Sequence, residues 1–234
     1  MASSSPGKSP FALRLLATVA LLIGWAGLLL QLWLTVGIVM AQGRGWPMGL
    51  VVYFGFFTIL TNLLATVALS AWRIGPGLPG HRWLTHPVLL TTAAAAITIV
   101  GLVYFFILRH TWKPEGAQFA ADAVLHYVMP TLVVVFWAWA VPAHAIGWAR
   151  LPWLLVYPLA YLVYVFVRGA IVASYPYEFI DVLNIGYPAA LRNSMAFMAA
   201  YALVVGVYAG SKALMHRRGD GHEDKNIDTK RLQP

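Results

Sequence analysis

The sequence predicts an all-α fold, a polytopic membrane protein built as a bundle of six transmembrane helices. Three observations predict it. Of 234 residues, 60% are hydrophobic and 10% charged, where a soluble domain would carry about 25% charged residues. The apolar residues fall into six runs, each near the ~20 residues at 1.5 Å per residue that a bilayer requires. Between the runs stand stretches rich in glycine, proline and charge, which stop helices.

Composition also excludes chemistry. The chain has no cysteine, which removes disulfides, thiolate metal sites and a cysteine nucleophile together. Its formal charge of +8 would point to nucleic acid in a soluble protein. In a membrane protein it reads as topology, so no nucleic-acid partner is predicted.

Residues 1–10, rich in Ser, Pro, Gly and Lys, read as a disordered cytoplasmic lead. Phe11 to Met40 is an apolar run broken by Arg14 and Gln31. It is about twice the length of a signal-peptide core, so it reads as an uncleaved first helix, with Gln31 facing another helix. After the turn at 43–49 a second span runs from Leu50 to Trp72. A linker from Arg73 to Pro87 leads to the third span, Val88 to Leu108. The fourth begins near Ala121, ends at Pro142 and contains Met129-Pro130-Thr131; a proline at that depth kinks a helix and frees a carbonyl. The fifth, Pro152 to Ala173, carries Arg168 near its far end. A loop at 174–188 leads to Arg192-Asn193-Ser194 and the sixth span. The membrane domain thus covers 11–213, and residues 214–234 read as a disordered cytoplasmic tail.

Six spans put both termini on one side. That side holds eleven basic residues (Lys8, Arg14, Arg73, Arg82, Arg150 and six from Lys212 to Arg231), against Arg44, Arg109, Lys113 and Arg192 on the other. The asymmetry predicts a cell-membrane protein with both termini cytoplasmic. The loop carboxylates Glu115, Asp122, Glu178 and Asp181 then lie outside.

Within the second span Thr58, Thr61 and Asn62 are related as i, i+3 and i+4, so they share one helix face. In hydrocarbon that face must turn inward, because an unpaired polar group there costs several kcal/mol. Two readings stand. The threonines can bond their own i−4 carbonyls while the asparagine joins two helices. Alternatively, a hydroxyl here pairs with His126, since a neutral imidazole accepts a proton and a hydroxyl alone is too weak a nucleophile for an ester. Depth sets the two apart: Thr58 lies roughly 12 Å into its span and His126 nearer ~7 Å, so a kink at Pro130 or an earlier helix start must close the gap. Arg168 needs a carboxylate once desolvated, with Asp181 first and Glu178 second. His81, His86 and His110 stand at span ends with no clustered carboxylates, so no metal and no cofactor is predicted. Haem would want two facing histidines, and only His126 is well placed.

The segments Tyr53-Phe-Gly-Phe-Phe-Thr58-Ile-Leu-Thr61-Asn62, Leu125-His126-Tyr-Val-Met-Pro130 and Tyr175-Pro-Tyr177-Glu-Phe-Ile-Asp181 resemble those of a bacterial group of six-span membrane proteins. More distantly they resemble the eukaryotic androgen-induced and androgen-dependent TFPI-regulating membrane proteins. Those relatives are intramembrane threonine hydrolases of fatty-acid esters of hydroxy fatty acids. The resemblance implies Thr58 as nucleophile, with Thr61 as the alternative. It implies His126 as base, although the relatives carry two histidines there and one more residue before the proline. Tyr177 and Asp181 fall in a matching loop segment; Asn62, Arg168 and Asn193 are the remaining polar residues counted with the site. The partners implied are membrane lipids and a lipid-like substrate. The competing reading is a non-catalytic bundle that binds or transports a lipid-like ligand, its polar cluster pinning helices.

Overall fold

A computed structural model describes residues 10–231, with side chains as far as Met215. Apart from Pro10, the lead lies outside the described residues, as do the tail's last three positions. In chain order the helices are α1 (Phe11–Ala41), α2 (Trp46–Tyr53), α3 (Phe57–Ile74), a short α4 (His81–Leu84) and α5 (Pro87–Phe106). Next, α6 (Gly116–Ala123) passes through a π-turn (Val124–Val128) into α7 (Met129–Ala140). The last two are α8 (Leu151–Val172) and α9 (Val182–Arg231), the latter interrupted at Gly186. No strand occurs among the described residues. With α6, the π-turn and α7 taken together, six segments are long and apolar enough to cross a membrane. The chain is a multi-pass, all-α membrane protein. The backbone of α9 continues helical to Arg231, beyond residue 213 where the membrane domain was expected to end.

The outward faces are apolar: Leu22, Leu29, Val163 and Leu203 are each more than half exposed, as lipid-facing side chains are. Small residues line the inside. Ala93, Ala94, Ala95 and Ala96 are buried, which lets α5 pack close to its neighbours at the centre. Gly24 of α1 faces Thr66 so closely that a Cβ there would stand 2.3 Å from its hydroxyl oxygen. Gln31 does face another helix, exchanging amide hydrogen bonds with Gln118 of α6 at 2.8 and 3.5 Å.

Two spans depart from expectation, and both departures bear on the polar cluster. The second span is not continuous, because the chain leaves helical geometry between Tyr53 and Phe57. The carbonyls orphaned there are taken up by one face of α8. The Tyr161 hydroxyl donates to Gly55 O at 3.1 Å and the Tyr164 hydroxyl to Phe54 O at 3.2 Å. Arg168 donates twice to Val51 O, at 3.0 and 3.2 Å. Positions 161, 164 and 168 are spaced three and four apart, so they rise along one side of the helix. Gly55 fits because a Cβ would come within 3.0 Å of the Arg168 guanidinium carbon.

The fourth span begins at Gly116, five residues before the expected start. His126 then lies about 15 Å beyond the helix start, at 1.5 Å per residue, instead of ~7 Å, and its ring reaches Thr58 Oγ1 at 3.4 Å. The earlier start closes the depth gap. Pro130 lacks the N–H that would bond the carbonyl four residues back, and the helix answers with the π-turn around His126. Thr131 donates to Tyr127 O at 2.8 Å.

Arg168 corrects a second expectation. It is buried, yet it bonds backbone carbonyls rather than Asp181 or Glu178: besides Val51 O it donates to Ser174 O at 2.7 Å. It still ties the 174–181 loop to the bundle, through a carbonyl. Orphaned carbonyls at a helix break and a loop start carry enough partial negative charge to hold a guanidinium without a carboxylate. Asp181 instead caps α9, accepting from Leu183 N at 3.0 Å and from the Asn184 amide at 2.7 Å. Asn193 fastens the same loop by donating to Phe179 O at 2.8 Å.

Candidate active site

Thr58 is the second residue of α3, immediately after the break. A residue in that position has a backbone N–H with no acceptor inside its own helix, and its side chain leaves from the helix end rather than from its middle. Thr58 is 8% exposed, and its Oγ1 lies 3.4 Å from His126 Nε2. Thr61 is fully buried on the same face but turns toward α8, where its hydroxyl meets the Tyr157 hydroxyl at 3.0 Å. Of the two threonines, the one against His126 is Thr58.

Asn62 joins the two sides. Its amide donates to Thr58 O at 2.9 Å and to Leu125 O, within the π-turn, at 3.2 Å. One side chain therefore ties the turn that bears Thr58 to the turn that bears His126. Its Oδ1 is buried without a partner.

The other ring nitrogen of His126 points back along its own helix. Nδ1 lies 3.0 Å from Asp122 O and 3.3 Å from the Asp122 carboxylate. A backbone carbonyl only accepts, so Nδ1 carries the proton and donates. That tautomer leaves the Nε2 lone pair bare, toward the Thr58 hydroxyl, which donates to it. Tyr104 stacks on the imidazole with ring centroids 4.1 Å apart, fixing its plane.

Sequence reasoning grouped Asp122 with the loop carboxylates; the structure buries it at 5% exposure, one turn before His126. The spacing of four between Asp122 and His126, both beyond the expected start at Ala121, could have signalled it. The structure brings together Thr58, His126, Asn62 and Tyr177. Thr61, Arg168, Asp181 and Asn193 stand apart from the Thr58–His126 contact, in supporting roles.

Tyr177 descends from the 174–181 loop. Its ring stacks on Phe179 and meets Phe56 edge-on, at centroid distances of 5.3 and 5.7 Å. Its hydroxyl accepts from Thr58 N at 3.4 Å, with the Phe57 amide and the Thr58 hydroxyl close by. Burial pushes its pKa above that of an ordinary tyrosine, so the group remains a phenol. The loop is held down at Tyr175 as well. That ring lies so close to Gly169 that a Cβ would meet it at 2.1 Å, which only glycine permits.

Beside Thr58 lies a narrow cleft of about 30 Å3, partly open to the exterior. Val100 and Val103 of α5, Leu162 of α8, Phe197 of α9 and Ile180 of the loop form apolar walls. Thr58 and Tyr177 reach its lining, while His126 stands behind Thr58 and outside it. The arrangement is a hydroxyl, an oriented imidazole and a carboxylate in series, ending at an apolar slot. Chemically it can deprotonate Thr58 and present the oxygen to something lipophilic. Neither a protein family, nor a curated protein, nor a solved structure matches the chain.

Proposed function

We propose that this chain is an intramembrane threonine hydrolase acting on fatty-acyl esters. One observation carries the reading: Asp122, His126 and Thr58 form a single polar chain that ends at an apolar cleft. In the reaction Thr58 Oγ attacks the ester carbonyl carbon while His126 Nε2 takes the hydroxyl proton. The carbonyl π pair moves onto its oxygen. Collapse of that tetrahedral species breaks the ester C–O bond, and His126 returns the proton to the departing alcohol. Water then cleaves the acyl-threonine by the same steps, with His126 as base again. The walls are apolar, as an acyl chain requires, and at about 30 Å3 the cleft must widen to admit one; closed around it, they exclude bulk water, which strengthens the polar contacts inside. The direct test incubates purified protein with a lipid-ester panel and a fluorophosphonate probe. Ester cleavage with the label on Thr58 supports the reading. No labelling and no cleavage across the panel leaves a non-catalytic bundle that binds or carries a lipid-like ligand.

Acidification is expected to lower turnover, because an imidazolium cannot accept the Thr58 proton. On the alkaline side no loss is expected near pH ~10, where a free phenol ionises, since burial raises the Tyr177 pKa. Asp122→Asn should cost about 10–100-fold in turnover. That is less than the ~10⁴ lost when a serine-protease aspartate becomes asparagine and the histidine adopts the wrong tautomer. Here the backbone carbonyl of Asp122 survives the substitution and still accepts from Nδ1. A pH–rate profile of wild type and variant measures both effects; a rate that rises with acid would falsify His126 as base.

The chain's basic residues further support a cell-membrane location with both termini cytoplasmic. Cysteine labelling at Ala41 and Gly116 from the outside checks that orientation.

A further inference from the structure

We propose that the Tyr177 hydroxyl, together with the Thr58 backbone N–H, is the oxyanion donor of this site. The assignment rests on the hydrolase reading and adds a catalytic residue to it. An oxygen carried by a carbon that has just bonded to Thr58 Oγ comes to lie within about 3 Å of that Oγ, where its donors must already wait. Two donors are in place there. The Thr58 N–H is released by the helix break, and it meets the Tyr177 hydroxyl at 3.4 Å.

Because that hydroxyl accepts from the amide, its own proton is free to point elsewhere. In the resting protein the Thr58 hydroxyl lies beside it and itself donates to His126 Nε2. When an ester carbonyl arrives, the phenol proton turns to the carbonyl oxygen. The Thr58 N–H leaves its long 3.4 Å bond to the phenol oxygen for the same carbonyl oxygen, and both donors then face the charge that forms. The phenol donates and never ionises, so the proton balance of the reaction is unchanged. Both donors are fixed before substrate binds. The α8 rungs Tyr161, Tyr164 and Arg168 hold the break that frees the amide, and Phe179 and Phe56 clamp the Tyr177 ring. The surrounding cleft is apolar, which makes each hydrogen bond to a developing charge stronger than it is in water.

The experiment compares wild type with Tyr177→Phe on lipid esters. Phenylalanine keeps the ring in its packing and removes only the hydroxyl. The expected result is a fall in kcat of about 10²–10³ with KM little changed, the pattern of an interaction made only in the transition state. A kcat that stays the same or rises overturns the assignment, since the hydroxyl would then be a mere stopper over Thr58. A change confined to KM overturns it too, as substrate binding alone. Should Tyr177→Phe fail to fold, wild type on matched oxygen and thiono esters still decides. Sulfur is the poorer hydrogen-bond acceptor, so a marked preference for oxygen supports the donor and equal rates overturn it. An active wild type with an indifferent Tyr177→Phe removes this assignment alone. A wild type with neither ester turnover nor label removes the hydrolase reading and this assignment together.

Discussion

Thr58→Ala and His126→Ala are each expected to lower ester turnover by at least about 10³-fold while the bundle still inserts and folds. Residues that act as one unit lose nearly everything when any member is removed. The stability cost for Thr58 is small, because its side chain gives up one long hydrogen bond, at 3.4 Å, worth about 1 kcal/mol. Removing the imidazole leaves a void beside Tyr104, which stacks on it. His126→Gln is therefore the better control, since it keeps volume and hydrogen bonding without a basic nitrogen. Thr61→Ala should stay within a few-fold of wild type, as its hydroxyl serves Tyr157. Turnover and fluorophosphonate labelling, read beside melting in detergent, separate chemistry from folding. Label retained by Thr58→Ala but lost by Thr61→Ala would move the nucleophile one turn along α3.

The largest stability effect is expected at Arg168. Its side chain satisfies Val51 O twice and Ser174 O once, and Arg168→Ala leaves both carbonyls without donors in a dry setting. At about 1–3 kcal/mol for each of the two orphaned groups, the loss should reach roughly 2–6 kcal/mol. Arg168→Lys should recover only part, since one ammonium lacks the fork that spans two carbonyls. Asp181→Ala is the informative companion. It removes a helix cap worth about 0.5–2 kcal/mol and no ion pair, so it should melt well above Arg168→Ala. Equal losses for the two would mean that they form a pair after all, and an Arg168→Ala that melts like wild type would show the carbonyls solvated.

The six spans were legible because hydropathy alone encodes them, and the inward polar face because a spacing of i, i+3, i+4 leaves it no other direction. The pairing of Thr58 with His126 followed from the need of a buried hydroxyl for a base. Other parts were illegible for physical reasons. Asp122 looked like a loop residue because its role depends on where the fourth span begins, and helix starts are weakly encoded when a glycine at positive φ such as Gly116 (φ 55°) opens them. The partner of Arg168 was misread because a broken helix offers backbone acceptors, which no side-chain pattern announces. The one trace was Gly55, a flexible residue inside an aromatic run. Pro130 advertised a distortion without saying that it would take the form of a π-turn.

That π-turn makes the candidate site a matter of chain length as well as residue type. Each residue advances an α-helix by about 100° and 1.5 Å. A π-turn takes up one surplus residue by widening a single turn, so Val124–Val128 keeps α6, with Asp122, in phase with the firmly packed α7. One residue more than the turn can absorb would have to be wound regularly. Every side chain on the α6 side would then swing by about 100°, carrying the imidazole and the carboxylate away from Thr58 together. All the site's residues would still be present, and the bundle would still have its six apolar faces. A chain of this kind can thus lose or gain its proton relay by one codon's worth of insertion or deletion, with no substitution at the reacting groups.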